Sequence, residues 1–293
     1  MNNERWVILA ALFAARTAMA FQFQTIGSVG PILVEQLGID YSRVGTLIGL
    51  YLLPGVIISL PGGLLGQRFG AKSVCALGLL LMAAGGLMTG AAASFYVIAI
   101  GRFVSGAGAV LMNVMATKMV ADWFIGRKLT IAMAILVASW PFGIGLGLVE
   151  QHIVAAETGW AAVMNLAAAM ALSCLFLMLA VYRSPPKPRD DTTSIELNPT
   201  LTGHELRLVL IAGTIWAIYN VGYIVLISFS PEFFTVRGYS TSQSSWIVSL
   251  LGWMLMPMIF IGGLVAEKTP PAYFGHRSQP SRHRLRSHGF AVR

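Results

Sequence analysis

Within a chain that is 56% apolar and 11% charged, the side chains able to do chemistry are those that interrupt long apolar runs. Two arginines do so, Arg16 and Arg102, accompanied by the amides Gln22 and Asn113. Arg16 lies about ten residues into the first run, roughly 15 Å deep at about 1.5 Å of helix rise per residue. A cation at that depth costs about 2.5–3.5 kcal/mol on insertion scales, so it must face a polar cavity or a partner. A guanidinium in a cavity could attract an anionic solute through its planar five-donor head, although a structural contact to backbone carbonyls or a neighbouring helix would use the same residue. A second constellation is Trp216, Tyr219, Asn220 and Tyr223, whose spacing of three and four puts them on one helix face. An aromatic-and-amide face suits a cavity wall, although interhelical packing would use the same face.

These residues must be positioned by membrane spans. Soluble chains are near 45–50% apolar and about 25% charged, which this chain is not. A span needs about 20 apolar residues, and eight stretches qualify: 6–26, 44–66, 73–93, 95–120, 130–149, 160–182, 206–229 and 244–266. All read as helices, because the alternating pattern of a membrane barrel is absent. Placing the N-terminus in the cytoplasm puts Arg5, Arg68, Lys72, Arg127, Lys128, Arg183, Lys187, Arg189, Arg207 and Lys268 inside, and leaves only Arg43 and Arg237 outside. In a bacterium the compartment would be the cytoplasmic membrane. The basic excess thus bears on topology and the lipid bilayer, and nucleic acid is not expected as a partner.

Enzyme chemistry finds little support. No histidine falls in these eight stretches, His152 and His204 reading as loop residues, so no metal site or haem ligation is expected there. No zinc-protease, phosphate-loop or nucleophile-elbow string occurs. Neither cofactor nor metal is expected. Cys75 and Cys174 sit in apolar runs and read as small buried hydrophobes.

The chain divides into a six-span unit (1–182), a proline- and charge-rich cytoplasmic linker (183–205), two further spans (206–268) and a basic tail (269–293). An ungapped offset of 200 pairs Pro31 with Pro231, Gly38 with Gly238, Ser42 with Ser242, Leu50 with Leu250, and Gly62-Gly63-Leu64 with Gly262-Gly263-Leu264. Each match falls at the equivalent end of the equivalent span. The pattern is that of two parallel copies of one unit, which on a transporter plan would total about 400 residues and twelve spans. The helical period is lost after Lys268, and the expected reading of 269–293 is out-of-frame translation. The alternative is a genuine basic tail for anionic lipid.

The string Gly62-Gly63-Leu64-Leu65-Gly66-Gln67-Arg68-Phe69-Gly70-Ala71-Lys72 resembles the cytoplasmic loop signature of the major facilitator superfamily, G-x-L-A-D-R-x-G-R-K. Gly63, Leu65, Gly66, Arg68, Gly70 and Lys72 fit it, while Gln67 stands where the family has Asp. Gly101-Arg102-Phe103-Val104-Ser105-Gly106-Ala107-Gly108 is similar to the family's R-x-x-x-G-x-G pattern. The resemblance implies an all-α membrane protein with a complete six-helix first half and two helices of the second. It also implies secondary transport of a small solute by alternating access, with a proton as coupling ion, and makes Arg102 a candidate for coupling or substrate contact. Arg16 tilts the solute toward a small organic or inorganic anion. The competing expectation is a truncated, non-transporting membrane remnant or interaction protein.

Overall fold

The structure is a computed structural model, and it describes residues 2–124, 128–184 and 202–268. Among these it contains nine helices and no strand: α1 (Asn2–Leu37), α2 (Tyr41–Leu52), α3 (Pro54–Phe69), α4 (Ala71–Gly90), α5 (Phe95–Trp123), α6 (Leu129–Thr158), α7 (Trp160–Val181), α8 (Gly203–Val236) and α9 (Thr241–Lys268). Taking α2 and α3 as one near-continuous rod, eight of these are long and apolar enough to cross a membrane. Arg127, the stretch 185–201 within the expected linker, and the tail 269–293 lie outside the described residues.

The helices overrun the apolar stretches that announced them. α1 continues to Leu37, α6 to Thr158 and α8 from Gly203 to Val236, because a helix ends where the backbone turns, not where the lipid-facing run ends. The turns are glycines with positive φ, a region open to a residue without Cβ: Gly38 at 62°, Gly70 at 84°, Gly159 at 89° and Gly238 at 97°. Two of the histidines are therefore helical and not in loops. His152 lies in α6, its Nδ1 3.1 Å from the Leu148 carbonyl, and His204 opens α8. The apolar stretch 44–66 is divided at Pro54, which takes the first position of α3, where its missing N–H costs nothing.

Pro31 is inside α1 as Pro231 is inside α8, and Gly38 and Gly238 each turn the chain just beyond those helices. Caps mark the starts of two helices: Asp40 accepts from the Arg43 N–H at 2.8 Å, and Thr202 and Glu205 form a reciprocal capping box.

Close packing is carried by small residues, as expected where helices gain little from hydrophobic exclusion against one another. α4 and α5 cross at Gly78 and Gly108. A Cβ added to Gly78 would lie 2.7 Å from the Gly108 carbonyl oxygen, and the reverse substitution meets the Gly78 carbonyl still closer. α9 lies on α6, where a Cβ on Gly252 would come 2.6 Å from the Pro141 carbonyl oxygen. Gly143, after the proline of α6, is similarly pressed against α1 at the Thr17 carbonyl, 2.5 Å from where its Cβ would be. α8 is different: its buried residues are Ile227 and Ser228.

Candidate functional site

A cavity of about 370 Å³ opens among α1, α5, α6, α8 and α9. It gathers Arg16, Asn113, Trp216, Tyr219, Asn220 and Tyr223, residues separated by as much as 207 positions, on one surface. Arg16 enters from α1 and is anchored by one hydrogen bond, Nη1 donating to the Leu136 carbonyl of α6 at 3.0 Å. Its Nε is buried and has no protein partner. Asn113 Oδ1 and Tyr223 OH are likewise buried and unpartnered. An unmet buried donor or acceptor costs free energy, and three of them belong to residues lining this cavity, from α1, α5 and α8. No Asp or Glu lines it, which leaves the Arg16 charge uncompensated by the protein.

The face of α8 is formed as the spacing indicates. Trp216 and Tyr219 have ring centroids 5.9 Å apart, and Tyr219 and Tyr223 stack at 6.1 Å with 10° between planes. Asn220 turns its amide back on its own helix, Nδ2 donating to the Trp216 carbonyl at 2.8 Å. Sequence reasoning passed over the rest of the lining. Trp140 and Pro141 come from α6, and Leu255 and Ile259 from α9. Trp140 has no polar residue at helical spacing to mark its face, and the two aliphatic residues resemble any others of their span.

Gln22 and Arg102 are not on the cavity. Gln22 is buried, its Nε2 donating to the Met82 carbonyl of α4 at 2.8 Å. Arg102 is 1% exposed and sits at the junction of α1, α2 and α5. Its Nε donates to the Leu47 carbonyl at 3.2 Å, Nη1 to the Gln22 carbonyl at 2.9 Å and Thr25 Oγ1 at 3.3 Å, and Nη2 to the Phe23 carbonyl at 3.1 Å. The Tyr51 ring covers the guanidinium at 4.4 Å. Backbone dipoles and an aromatic face thus take the place of a counter-ion.

α8 touches the first six spans near its C-terminal end. Gln24 Nε2 reaches the Ile227 carbonyl at a long 3.5 Å, Tyr41 OH donates to Glu232 Oε1 at 2.9 Å, and a Cβ on Gly27 would lie 3.6 Å from the Ser228 backbone. Toward its other end α8 is exposed from Gly203 through Tyr219. These contacts of α8 with α1 and α2 gather toward the side of Gly38 and Gly238, and the opposite end of α8 is exposed.

That opposite side carries the glycine-and-cation loop. Lys72 Nζ donates at 2.9 Å to both the Leu179 and Tyr182 carbonyls, capping the C-terminal end of α7 where a helix dipole favours a cation. Gly66 abuts Met115 of α5, Gly70 makes the turn, and Gly63 faces open space. Arg68 lies 5.4 Å from the Phe69 ring centroid. Gln67 shares a groove with Lys118 and Asp122, which form an ion pair at 2.7 Å.

Eight helices long and apolar enough to cross a membrane, packed round a cavity, make this a polytopic helical bundle. The sequence profile described as Major Facilitator Superfamily matches residues 12–280, and the chain belongs to that family. It is 25% identical over 270 residues to an MFS-type transporter of the acurin A biosynthesis cluster of Aspergillus aculeatus, a match covering 91% of this chain and 46% of that one. It is 28% identical over 247 residues to a probable chloroplastic anion transporter 3 of Arabidopsis thaliana, covering 76% and 48%. Among solved structures, a bacterial homolog of the human lysosomal transporter Spinster, in an inward-facing and unoccupied conformation, superposes with a TM-score of 0.71. That match has 18% identity and covers 93% of this chain and 64% of that one. The chain spans about half the length of these curated relatives.

Proposed function

We propose that this chain binds a small anionic solute at Arg16 and takes part in its transport across a membrane by alternating access. The observation that carries this reading is the lone Arg16 guanidinium, with a partnerless buried Nε, in a cavity without a carboxylate. The contact between Tyr41 and Glu232 joins α2 to the C-terminal part of α8, which supports a site exposed to one side at a time. The distribution of loop cations supports a cytoplasmic exit on the side of the glycine-and-cation loop. The Arabidopsis relative, described as a probable anion transporter, supports the choice of cargo.

The coupling ion is assigned as the proton. A monoanion carried with one proton crosses electroneutrally, and the cavity offers no set of carboxylates to hold a metal cation. The six-helix unit (1–182), linker (183–205) and partial second unit (206–268) are assigned accordingly, with α1 and α8 as equivalent helices of the two units.

The test is uptake of radiolabelled benzoate and phosphate into proteoliposomes containing the 293-residue chain, under an imposed inward proton gradient. The expected result is saturable uptake of an anion that collapses with a protonophore and falls at least tenfold in Arg16→Gln. Absence of gradient-dependent uptake by well-folded protein overturns transport by this chain.

A further inference from the structure

The chemistry of the cavity narrows the anion further than its charge does. The geometry points to an aromatic monocarboxylate as the ligand, bound with its carboxylate on Arg16 and its ring along the Trp216–Tyr219–Tyr223 ladder. This inference rests on the reading of the cavity as an anion site.

The first argument is the number of cations. Arg16 alone among the lining residues carries a positive charge. With Nη1 held by the Leu136 carbonyl, the guanidinium keeps its Nε–Nη2 edge free. That edge takes a carboxylate in a planar two-bond fork. A tetrahedral dianion such as sulfate or phosphate needs several cations or a nest of backbone N–H groups. No lysine, serine, threonine or glycine lines this cavity.

The second argument is the wall. Three rings of α8 form a continuous ladder, with Tyr219 and Tyr223 within 10° of parallel. Trp216 is 63% exposed and Tyr219 51% exposed, so two of its ring faces are not consumed by packing within the protein. Trp140 adds an indole from α6. Such faces stack on a flat π-system and gain less from a puckered ring. Their negative quadrupole also disfavours an anion laid against them, so the charged end must turn toward Arg16. The third argument is size: about 370 Å³ is near the lower limit of small-molecule sites.

The experiment is equilibrium binding of radiolabelled benzoate to the purified full chain in detergent, with cyclohexanecarboxylate, benzyl alcohol, sulfate and phosphate as competitors. Benzoate is expected to compete at least tenfold better than cyclohexanecarboxylate, which keeps the charge and loses the plane. It should also compete at least tenfold better than benzyl alcohol, which keeps the plane and loses the charge. Sulfate and phosphate should not compete. Arg16→Gln should abolish binding. Tyr219→Leu, at a half-exposed position that tolerates substitution, should bring the benzoate and cyclohexanecarboxylate affinities within about twofold.

Equal competition by cyclohexanecarboxylate, or displacement by sulfate, with binding still dependent on Arg16, overturns the aromatic assignment and leaves the anion site standing. Benzoate binding that survives Arg16→Gln overturns both. If Arg16→Gln does not fold, the Tyr219→Leu selectivity ratio decides. Failure of monodisperse wild-type protein to bind benzoate overturns the proposal.

Discussion

Replacing Arg102 by methionine should destabilise the fold, whereas the same change at Arg16 should not. Arg102 donates four hydrogen bonds and lies 4.4 Å from the Tyr51 ring centroid, tying α1, α2 and α5 together. Hydrogen bonds from a charged group contribute about 1.5–3 kcal/mol each, and a desolvated cation–π contact contributes about 2 kcal/mol. Against this stands the desolvation of a guanidinium that is 1% exposed, several kcal/mol per ion. Even the low end of these gains, about 8 kcal/mol, less a desolvation cost of about 5 kcal/mol, leaves a net loss of at least about 3 kcal/mol for Arg102→Met. At about 2–4 °C per kcal/mol for a chain of this size, Tm should fall by about 6–12 °C.

Arg16 makes one hydrogen bond, about 1.5–3 kcal/mol that the desolvation of the guanidinium offsets, so Arg16→Met should change stability by about 1 kcal/mol at most, roughly 2–4 °C in Tm. The chain supplies its own probe, since Cys75 and Cys174 are free and buried and become reactive to a thiol-sensitive dye only on unfolding. An Arg102→Met protein that melts within about 2 °C of the wild type yet no longer takes up anion would refute the reasoning. It would show Arg102 to act on the solute or the proton.

Other contacts make further demands. Gly108→Ala drives a Cβ into the Gly78 carbonyl and should cost at least about 1–3 kcal/mol by overpacking. Gly63→Ala, with nothing within 4 Å of its Cβ, should leave the same dye-monitored Tm unchanged or slightly raised; equal effects at both glycines would contradict the packing account. Lys72→Gln uncaps the C-terminal end of α7 and should lower Tm by the equivalent of about 1 kcal/mol; an unchanged Tm means that the cation does not cap. Tyr41→Phe removes the bond to Glu232, about 1 kcal/mol of the contact between α2 and α8. A cysteine placed at Ser228 should then react with maleimide about fivefold faster, and an unaltered rate would show that the contact is held elsewhere.

The spans were legible because hydropathy reports the lipid slab directly. Their true ends were not, because residues 27–37 of α1 and 150–158 of α6 are polar enough to leave the apolar pattern yet continue the helix until a glycine turns it. The division at Pro54 was obscured for the opposite reason: the sequence on both sides is apolar, so nothing in hydropathy distinguishes one rod from two. The glycines of the loop string were legible as a group, but the string does not reveal that Gly66 is packed against Met115 while Gly63 faces open space.

The site shows the same limit more sharply. One face of α8 could be read from spacing alone, since helical periodicity places residues 216, 219, 220 and 223 together whatever surrounds them. Arg16 and Arg102, by contrast, look equivalent in sequence: each is a lone cation within an apolar run. What separates them is the chemistry of the neighbouring helices. Arg102 projects where the carbonyls of Leu47, Gln22 and Phe23 and the ring of Tyr51 converge, and each of its three nitrogens donates a hydrogen bond. Arg16 projects where α6 offers one carbonyl and α8 presents ring faces, and one of its buried donors is left over. The surplus donor is a property of three helices meeting, not of either residue or its span. A membrane arginine therefore declares its cost in the sequence, and its use only once the acceptors around it can be counted.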